Sequence, residues 1–269
     1  MKNYLFWGLS LMVLMACNSN SKKGKASKVE SEPIDVFNYS AKSALQYLTS
    51  DQLEGRDTGS NGIDKAATYI ETSLKNFGVE PYFETFRDSF QIDDIDGFNV
   101  VGVLKSPHLD KKLKPIILGA HYDHIGIIKS VDNDSIANGA NDNASGTVAV
   151  MELAHYLSDQ NLERDVIFAL FSAEEKGLRG ARHLAEKMKS FEVEPYLVFN
   201  IEMLGVPMEN KPYQAYITGY DMSNLAEVFN TYYDEKSKFL GFLPQSKKMN
   251  LFKRSDNYPF YDVFHIPSH

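Results

Sequence analysis

Four short polar segments hold the residues able to do chemistry. Gly119-Ala120-His121-Tyr122-Asp123-His124 follows the apolar run Ile116-Ile117-Leu118, Ser172-Ala173-Glu174-Glu175 follows Val166 to Phe171, and Glu202 follows Tyr196 to Ile201. The fourth, Gly139-Ala140-Asn141-Asp142-Asn143-Ala144-Ser145-Gly146, is rich in small residues and runs into a helical pattern. One His and three or four carboxylates gathered at one place repel one another unless protons or cations compensate. A pair of zinc ions brings enough positive charge to balance Asp142, Glu174, Glu175 and Glu202. Zinc accepts imidazole nitrogen and carboxylate oxygen, and a catalytic site keeps a coordination position open for water. Two ions about 3.5–4 Å apart can share a hydroxide and polarise a carbonyl together. The chemistry implied is a hydroxide held beside a polarised carbonyl.

Such residues converge only if the elements before them lie side by side. In an open α/β sheet, ligands gather beyond the carboxyl ends of the strands. The 269 residues are 43% hydrophobic and 24% charged, enough for a sizeable core. Pro115 to Leu118, Val166 to Phe171 and Tyr196 to Ile201 are continuous apolar runs that read as strands buried on both faces. Tyr82 to Ile92 and Phe98 to Leu104 read as an antiparallel pair. Ile63, Ala66, Ala67, Ile70 and Leu74 have helical spacing between a cap at Asn61 and a stop at Gly78. Further helices are expected at about 144–157, 178–188 and 222–233. The order predicts a three-layer α/β/α fold with a central mixed, mainly parallel sheet.

Lys and Arg number 28 against 36 Asp and Glu, a net charge of −8, which argues against binding nucleic acid by phosphate neutralisation. The single cysteine, Cys17, excludes an internal disulfide. It ends Leu14-Met15-Ala16-Cys17, after an apolar run from Tyr4 to Ala16 that is too short to span a membrane. This end resembles a bacterial lipoprotein signal. The resemblance implies removal of residues 1–16, lipidation of Cys17 and a place in the cell envelope, anchored to a membrane. Residues 17–33 hold almost nothing apolar and read as a tether. One domain is expected over 34–269.

At the polar segments the sequence resembles the co-catalytic two-zinc aminopeptidases, metallopeptidase family twenty-eight, which includes leucyl aminopeptidases, glutamate carboxypeptidase II and glutaminyl cyclases. The resemblance begins with Leu53-Glu54-Gly55-Arg56 and Gly59-Ser60. It implies a zinc exopeptidase acting on the N-termini of peptides. His121 matches the first-metal ligand, Asp142 the bridging carboxylate, Glu175 a second-metal ligand and Glu202 the remaining first-metal carboxylate. Glu174 matches the general base, and Asp123 the carboxylate that fixes the tautomer of His121. Three departures stand out. Glu202 occupies a position where the family usually has Asp, and Asn257 one where it commonly has His. The family's last ligand is a His beyond the strand that starts at Ile266-Pro267-Ser268, so the sequence to His269 reads as truncated ahead of it.

Other residues take plainer readings. His124 reads as a hydrogen-bonding neighbour of the first ligand, and His155 and His183 as surface or packing residues. Asp132 and Asp134 open like a calcium loop but lack its Gly and terminal Glu, so they read as a solvated turn. Tyr213 to Tyr220 is a candidate pocket segment. Two rivals to the peptidase reading are a one-zinc glutaminyl cyclase-like aminoacyltransferase and a binding domain without catalysis; the number of subunits is left open.

Overall fold

The computed structural model describes residues 39–108, 113–233 and 238–269, so the expected signal segment, Cys17 and the tether lie outside the described residues. The described chain starts with α1 (Ala41–Leu48) and α2 (Asn61–Asn76). Ser60, rather than Asn61, caps α2: its hydroxyl accepts the Ile63 N–H at 3.3 Å, satisfying an amide that has no partner within the helix. Ile63, Ala66, Ala67, Ile70 and Leu74 form the buried stripe, as their spacing predicts. Gly78, at φ +81°, turns the chain away past the end of the helix.

Three outer strands follow, β1 (Glu80–Pro81), β2 (Arg87–Ile92) and β3 (Ile95–Leu104), with β1 and β2 both antiparallel to β3. Next come β4 (Ile116–His121), the hairpin of β5 (Ile127–Val131) and β6 (Asp134–Ile136), and α3 (Ser145–Ser158). They are followed by β7 (Val166–Phe171), α4 (Arg179–Ser190) and β8 (Leu197–Asn200). The rest comprises β9 (Tyr213–Tyr216), α5 (Leu225–Tyr233), β10 (Lys238–Gly241), α6 (Pro244–Lys248) and α7 (Asn257–Phe264).

The sheet runs β1-β3-β7-β4-β8, with β2 also on β3. β3 is antiparallel to β7, whereas β7, β4 and β8 are mutually parallel. Beyond β8, Ser268 bridges Val198 in parallel, and the His269 N–H donates to Val198 at 3.0 Å. β9 and β10 form a separate parallel pair.

Strand β7 explains the layers. Its six residues are all buried, and alternate side chains enter different cores. Val166, Phe168 and Leu170 pack with α1, α2 and α3, while Ile167, Ala169 and Phe171 pack with α4 and Phe260 of α7. Helices cover both faces, which is the three-layer α/β/α architecture the sequence predicts. Burying each large apolar side chain contributes roughly 1.5–3 kcal/mol, so β7, buried along its whole length, is the best-anchored strand of the sheet. The described residues all fall within one compact unit.

Candidate metal centre at the ends of the parallel strands

The parallel register brings three polar segments to one edge. His121 aligns with Phe171 across β4 and β7, and Gly119 with Asn200 across β4 and β8. The residues after those strands therefore emerge together. The Tyr122 N–H continues the ladder to the Phe171 carbonyl at 2.8 Å, carrying the order one residue beyond His121.

His121 is buried, with Nδ1 3.2 Å from the Asp123 carbonyl oxygen and Nε2 3.3 Å from Asp142 Oδ1. Ligands on a tetrahedral zinc with bonds of about 2.0–2.2 Å stand about 3.3–3.6 Å apart, so this pair suits one ion. Burial lowers the affinity of His121 for a proton, but hydrogen bonds to Asp123 and Asp142 and the charges of Asp123 and Asp256 raise its pKa well above 6.5. The His121 bond holds Asp142 below the ordinary carboxylate range.

Asp142 lies in the turn Ala140–Ala144, and its peptide bond to Asn143 is cis. Asn143, fully buried, anchors that turn to the end of β8. Its amide donates to the Ile201 carbonyl at 3.0 Å, and its Oδ1 accepts the N–H groups of Gly146 at 3.0 Å and Met203 at 3.1 Å. Sequence reasoning passed over this residue, although an Asn before a helix start is a familiar local acceptor.

Asp123 is fully buried beside His121 and also reaches the loop after β7. Its carboxylate lies 3.6 Å from His121 Nδ1, while it accepts the N–H groups of Glu174 at 3.2 Å and Glu175 at 3.4 Å and the Thr58 hydroxyl at 3.3 Å. It braces the two glutamates from below. Burial, with the charges of Glu202, Asp123 and Glu175 outweighing His121, pushes Glu174 up to about 7. A carboxyl poised there can take and return a proton near neutrality.

Glu175 Oε1 lies 2.8 Å from Nδ1 of His124, the residue read as a hydrogen-bonding neighbour of the first ligand. His124, Asp142 and Glu175 offer donor atoms within 4.8 Å of one another and form the one three-donor group suited to a metal among the described residues. The structure thus brings His121 to Asp142 and His124 to Glu175 and Asp142. Glu202 stands apart from that group, its Oε1 accepting from Asn200 Nδ2 and Ser255 Oγ, each at 2.8 Å.

Asp256 was not singled out from sequence. It is fully buried, and neither carboxylate oxygen has a hydrogen-bond partner among the described residues. Burial, followed by the charge of Glu174, raises its pKa well above 3.8. Asn257 beside it is also buried and reaches the Ser268 carbonyl at 3.4 Å. His269 has both ring nitrogens engaged, Nε2 with Ser223 Oγ at 2.6 Å and Nδ1 with the Thr218 carbonyl at 2.9 Å. It borders a cavity of about 800 Å³ that opens beside Glu202 and is lined by Tyr213, Tyr216 and Phe239.

The donor set of imidazoles and carboxylates, with an orphaned buried carboxylate beside it, fits zinc or another borderline divalent cation better than calcium, which prefers oxygen ligands throughout.

Comparisons agree with this chemistry. Residues 99–268 match the model for Peptidase family M28. The aminopeptidase YwaD of Bacillus subtilis is 30% identical over 167 residues, covering 61% of this chain and 33% of YwaD. A probable zinc metalloprotease of Leptosphaeria maculans is 33% identical over 171 residues, covering 60% of this chain and 39% of that one. The chain therefore spans between a third and two-fifths of the length of these curated relatives. Among solved structures, the Legionella pneumophila LapA aminopeptidase superposes with TM-score 0.63 at 22% identity, covering 84% of this chain and 58% of LapA. Porphyromonas gingivalis glutaminyl cyclase gives 0.60 at 15% identity, covering 85% and 82%. At those identities the likeness is one of fold. The extent of the family match, with its polar segments gathered at one sheet edge, places the chain in Peptidase family M28.

Proposed function

We propose that the chain is the catalytic part of a zinc-dependent exopeptidase that removes N-terminal residues from peptides. The observation that carries this is the convergence of His121, His124, Asp142, Glu174 and Glu175 beyond the parallel strands. His121 and Asp142, with Glu202, would hold one ion; Asp142 and Glu175, with His124 beside them, would hold the other. When bound, zinc supplies a Lewis acid for the scissile carbonyl and lowers the pKa of water.

The chain's own residues do the rest. Asp123 fixes the backbone from which Glu174 and Glu175 project. Glu174 takes a proton from the attacking water and returns it to the leaving amine. The cavity bordered by Tyr213, Tyr216 and Phe239 offers room for substrate side chains next to Glu202. In the same reading Cys17 carries a lipid that holds the protein in a bacterial envelope, and mass spectrometry of the native protein would reveal an acylated N-terminal Cys17.

A one-zinc, cyclase-like aminoacyl transfer is the second reading, favoured by the single three-donor group among the described residues. Incubating the zinc-loaded chain with an aminoacyl anilide, its N-acetylated form and a peptide beginning with Gln separates the two. Cleavage of the free anilide alone supports the exopeptidase. Loss of ammonia from the Gln peptide, with no anilide cleaved, overturns it.

A further inference from the structure

Three consecutive residues that donate nothing to the candidate centre touch three of the four segments that do, the one carrying Glu202 being the exception. We propose that Arg56, Asp57 and Thr58 are positioning residues that fix the spacing of the His121–His124, Asp142 and Glu174–Glu175 segments before any metal binds. Its consequence for zinc rests on the metal reading above; its consequence for the metal-free chain does not. The segment precedes the residues matched by the family model, which begin at 99.

Arg56 is almost completely buried, and its fork is spent on main-chain carbonyls. Nε donates to Tyr122 at 2.8 Å, between His121 and Asp123. Nη1 donates to Leu48, at the end of α1, and to Asn138 at 2.7 Å; Nη2 donates to Gly139 at 3.0 Å, at the root of the Asp142 turn. One side chain thus joins the end of β4 to the turn that carries Asp142. Burial lowers its pKa to about 10, and the charges of Asp123 and Asp142 work against that fall. A buried guanidinium with carbonyl partners alone is an expensive way to fill space, whereas its rigid planar fork is well suited to holding separate segments in register.

Thr58 closes the other side. Its hydroxyl donates to Asp123 Oδ2 at 3.3 Å and accepts the Ala173 N–H at 3.0 Å, linking the loop after β4 to the loop after β7. Asp57 reaches that second loop too, accepting Lys176 Nζ at 2.7 Å. This ion pair is partly exposed and contributes least. Backbone contacts follow the same path: the His124 N–H donates to Arg56 at 3.2 Å and the Gly126 N–H to Gly55 at 3.1 Å. A Cβ on Gly55 would come within 2.6 Å of the Gly126 carbonyl, so this close approach needs glycine.

The test compares Thr58→Val, Arg56→Lys and Arg56→Met with the parent chain. Amide hydrogen exchange is followed in the metal-free protein, zinc affinity by competition with a chromophoric chelator, and overall stability by urea. Thr58→Val preserves shape and removes both hydrogen bonds. It is expected to speed exchange at Glu174 and Glu175 at least about tenfold, with little change in the urea midpoint. Zinc affinity should fall about 10- to 100-fold, the usual cost of losing a partner behind a metal ligand. Arg56→Lys keeps the charge and loses the fork, so it should bind zinc as poorly as Arg56→Met. Parent-like exchange and parent-like zinc affinity in Thr58→Val overturn the proposal, as does full rescue by Arg56→Lys. If the Arg56 variants do not fold, Thr58→Val decides. If the parent chain binds no zinc, the metal reading falls, and the exchange rates alone decide the positioning role.

Discussion

Two buried carboxylates, one on the antiparallel side of the sheet and one just ahead of α7, are treated in opposite ways. At the antiparallel side, Asp88 of β2 accepts Lys187 Nζ at 2.7 Å and Asn99 Nδ2 at 3.1 Å, and lies 3.2 Å from His183 Nε2. Burial would raise its pKa, but these partners hold it below 3.8. Asn99 passes the order on, donating to the Gly180 carbonyl at 3.0 Å and accepting the Ser172 N–H at 3.2 Å. Near the carboxyl edge of the parallel strands, Asp256 has no hydrogen-bond partner among the described residues and is pushed the other way. A buried charge that is fully partnered is part of the scaffold. One left without partners, among other carboxylates, marks a place organised around something that arrives later.

That contrast can be broken in several ways. The largest effect is expected at the carboxyl edge, where Glu174→Gln should lower turnover of an aminoacyl anilide about 10²- to 10⁴-fold, the usual contribution of a general acid/base. Zinc content measured by mass spectrometry should not change, because Glu174 is not proposed as a ligand. On the scaffold side, Asp88→Ala should cost about 2–3 kcal/mol in urea denaturation, the range for lost hydrogen bonds to a charged group. Its partners Lys187 and His183 are partly exposed and can turn to water, which keeps the loss below that of a sealed pair.

The pH dependence of zinc binding tests the electrostatics of the centre. His121 must lose its proton to bind a cation, and its pKa in the metal-free chain stands well above 6.5. Zinc affinity should therefore climb with pH, by up to about tenfold per unit for a single displaced proton, and level off above that raised pKa. Calorimetry in buffers of different ionisation enthalpy would register the proton released.

The smallest effect separates the two carboxylates by sign. A carboxyl raised in the folded state keeps its proton there after the unfolded chain has lost it, so stability falls as pH rises from 3.8 through the raised value. Asp256→Asn removes that dependence and should raise the melting temperature of the metal-free protein more at pH 8 than at pH 5. Asp88, whose pKa is lowered on folding, works the other way: its contribution is present above 3.8 and is lost as pH falls through the lowered value. Equal behaviour of Asp88→Asn and Asp256→Asn across that range would abolish the distinction.

The sequence revealed most where structure is repetitive. Val166 to Phe171 is unbroken by polar residues because both faces of β7 are covered, and its ends were legible to the residue. The stripe of α2 was equally plain, although its cap lay one residue earlier than read. That His121, Asp142, Glu174 and Glu175 would lie near one another was legible because His121 closes β4, the two glutamates follow β7 and Asp142 lies in the turn ahead of α3. What stayed hidden has no local period. Thr58 meets Ala173 across 115 positions, and nothing in the spacing of either residue announces it. His124 and Glu175 are paired across 51 positions by the parallel register of β4 and β7. Asp256 looked like one more polar residue ahead of a helix, and only packing reveals that it has no hydrogen-bond partner among the described residues.

The alternation of β7 between two cores also constrains how the family member can change. A single residue inserted within the strand would send Phe168 and Leu170 to the side built for Ile167 and Ala169, and would carry Glu174 and Glu175 out of step with His121 at the same stroke. An insertion at Asp132-Asn133, in the exposed turn between β5 and β6, meets neither obstacle. Length variation among descendants of this chain should accordingly accumulate at the hairpin, while the distance from Val166 to Glu175 stays fixed, a rigid ruler written into the apolar run itself.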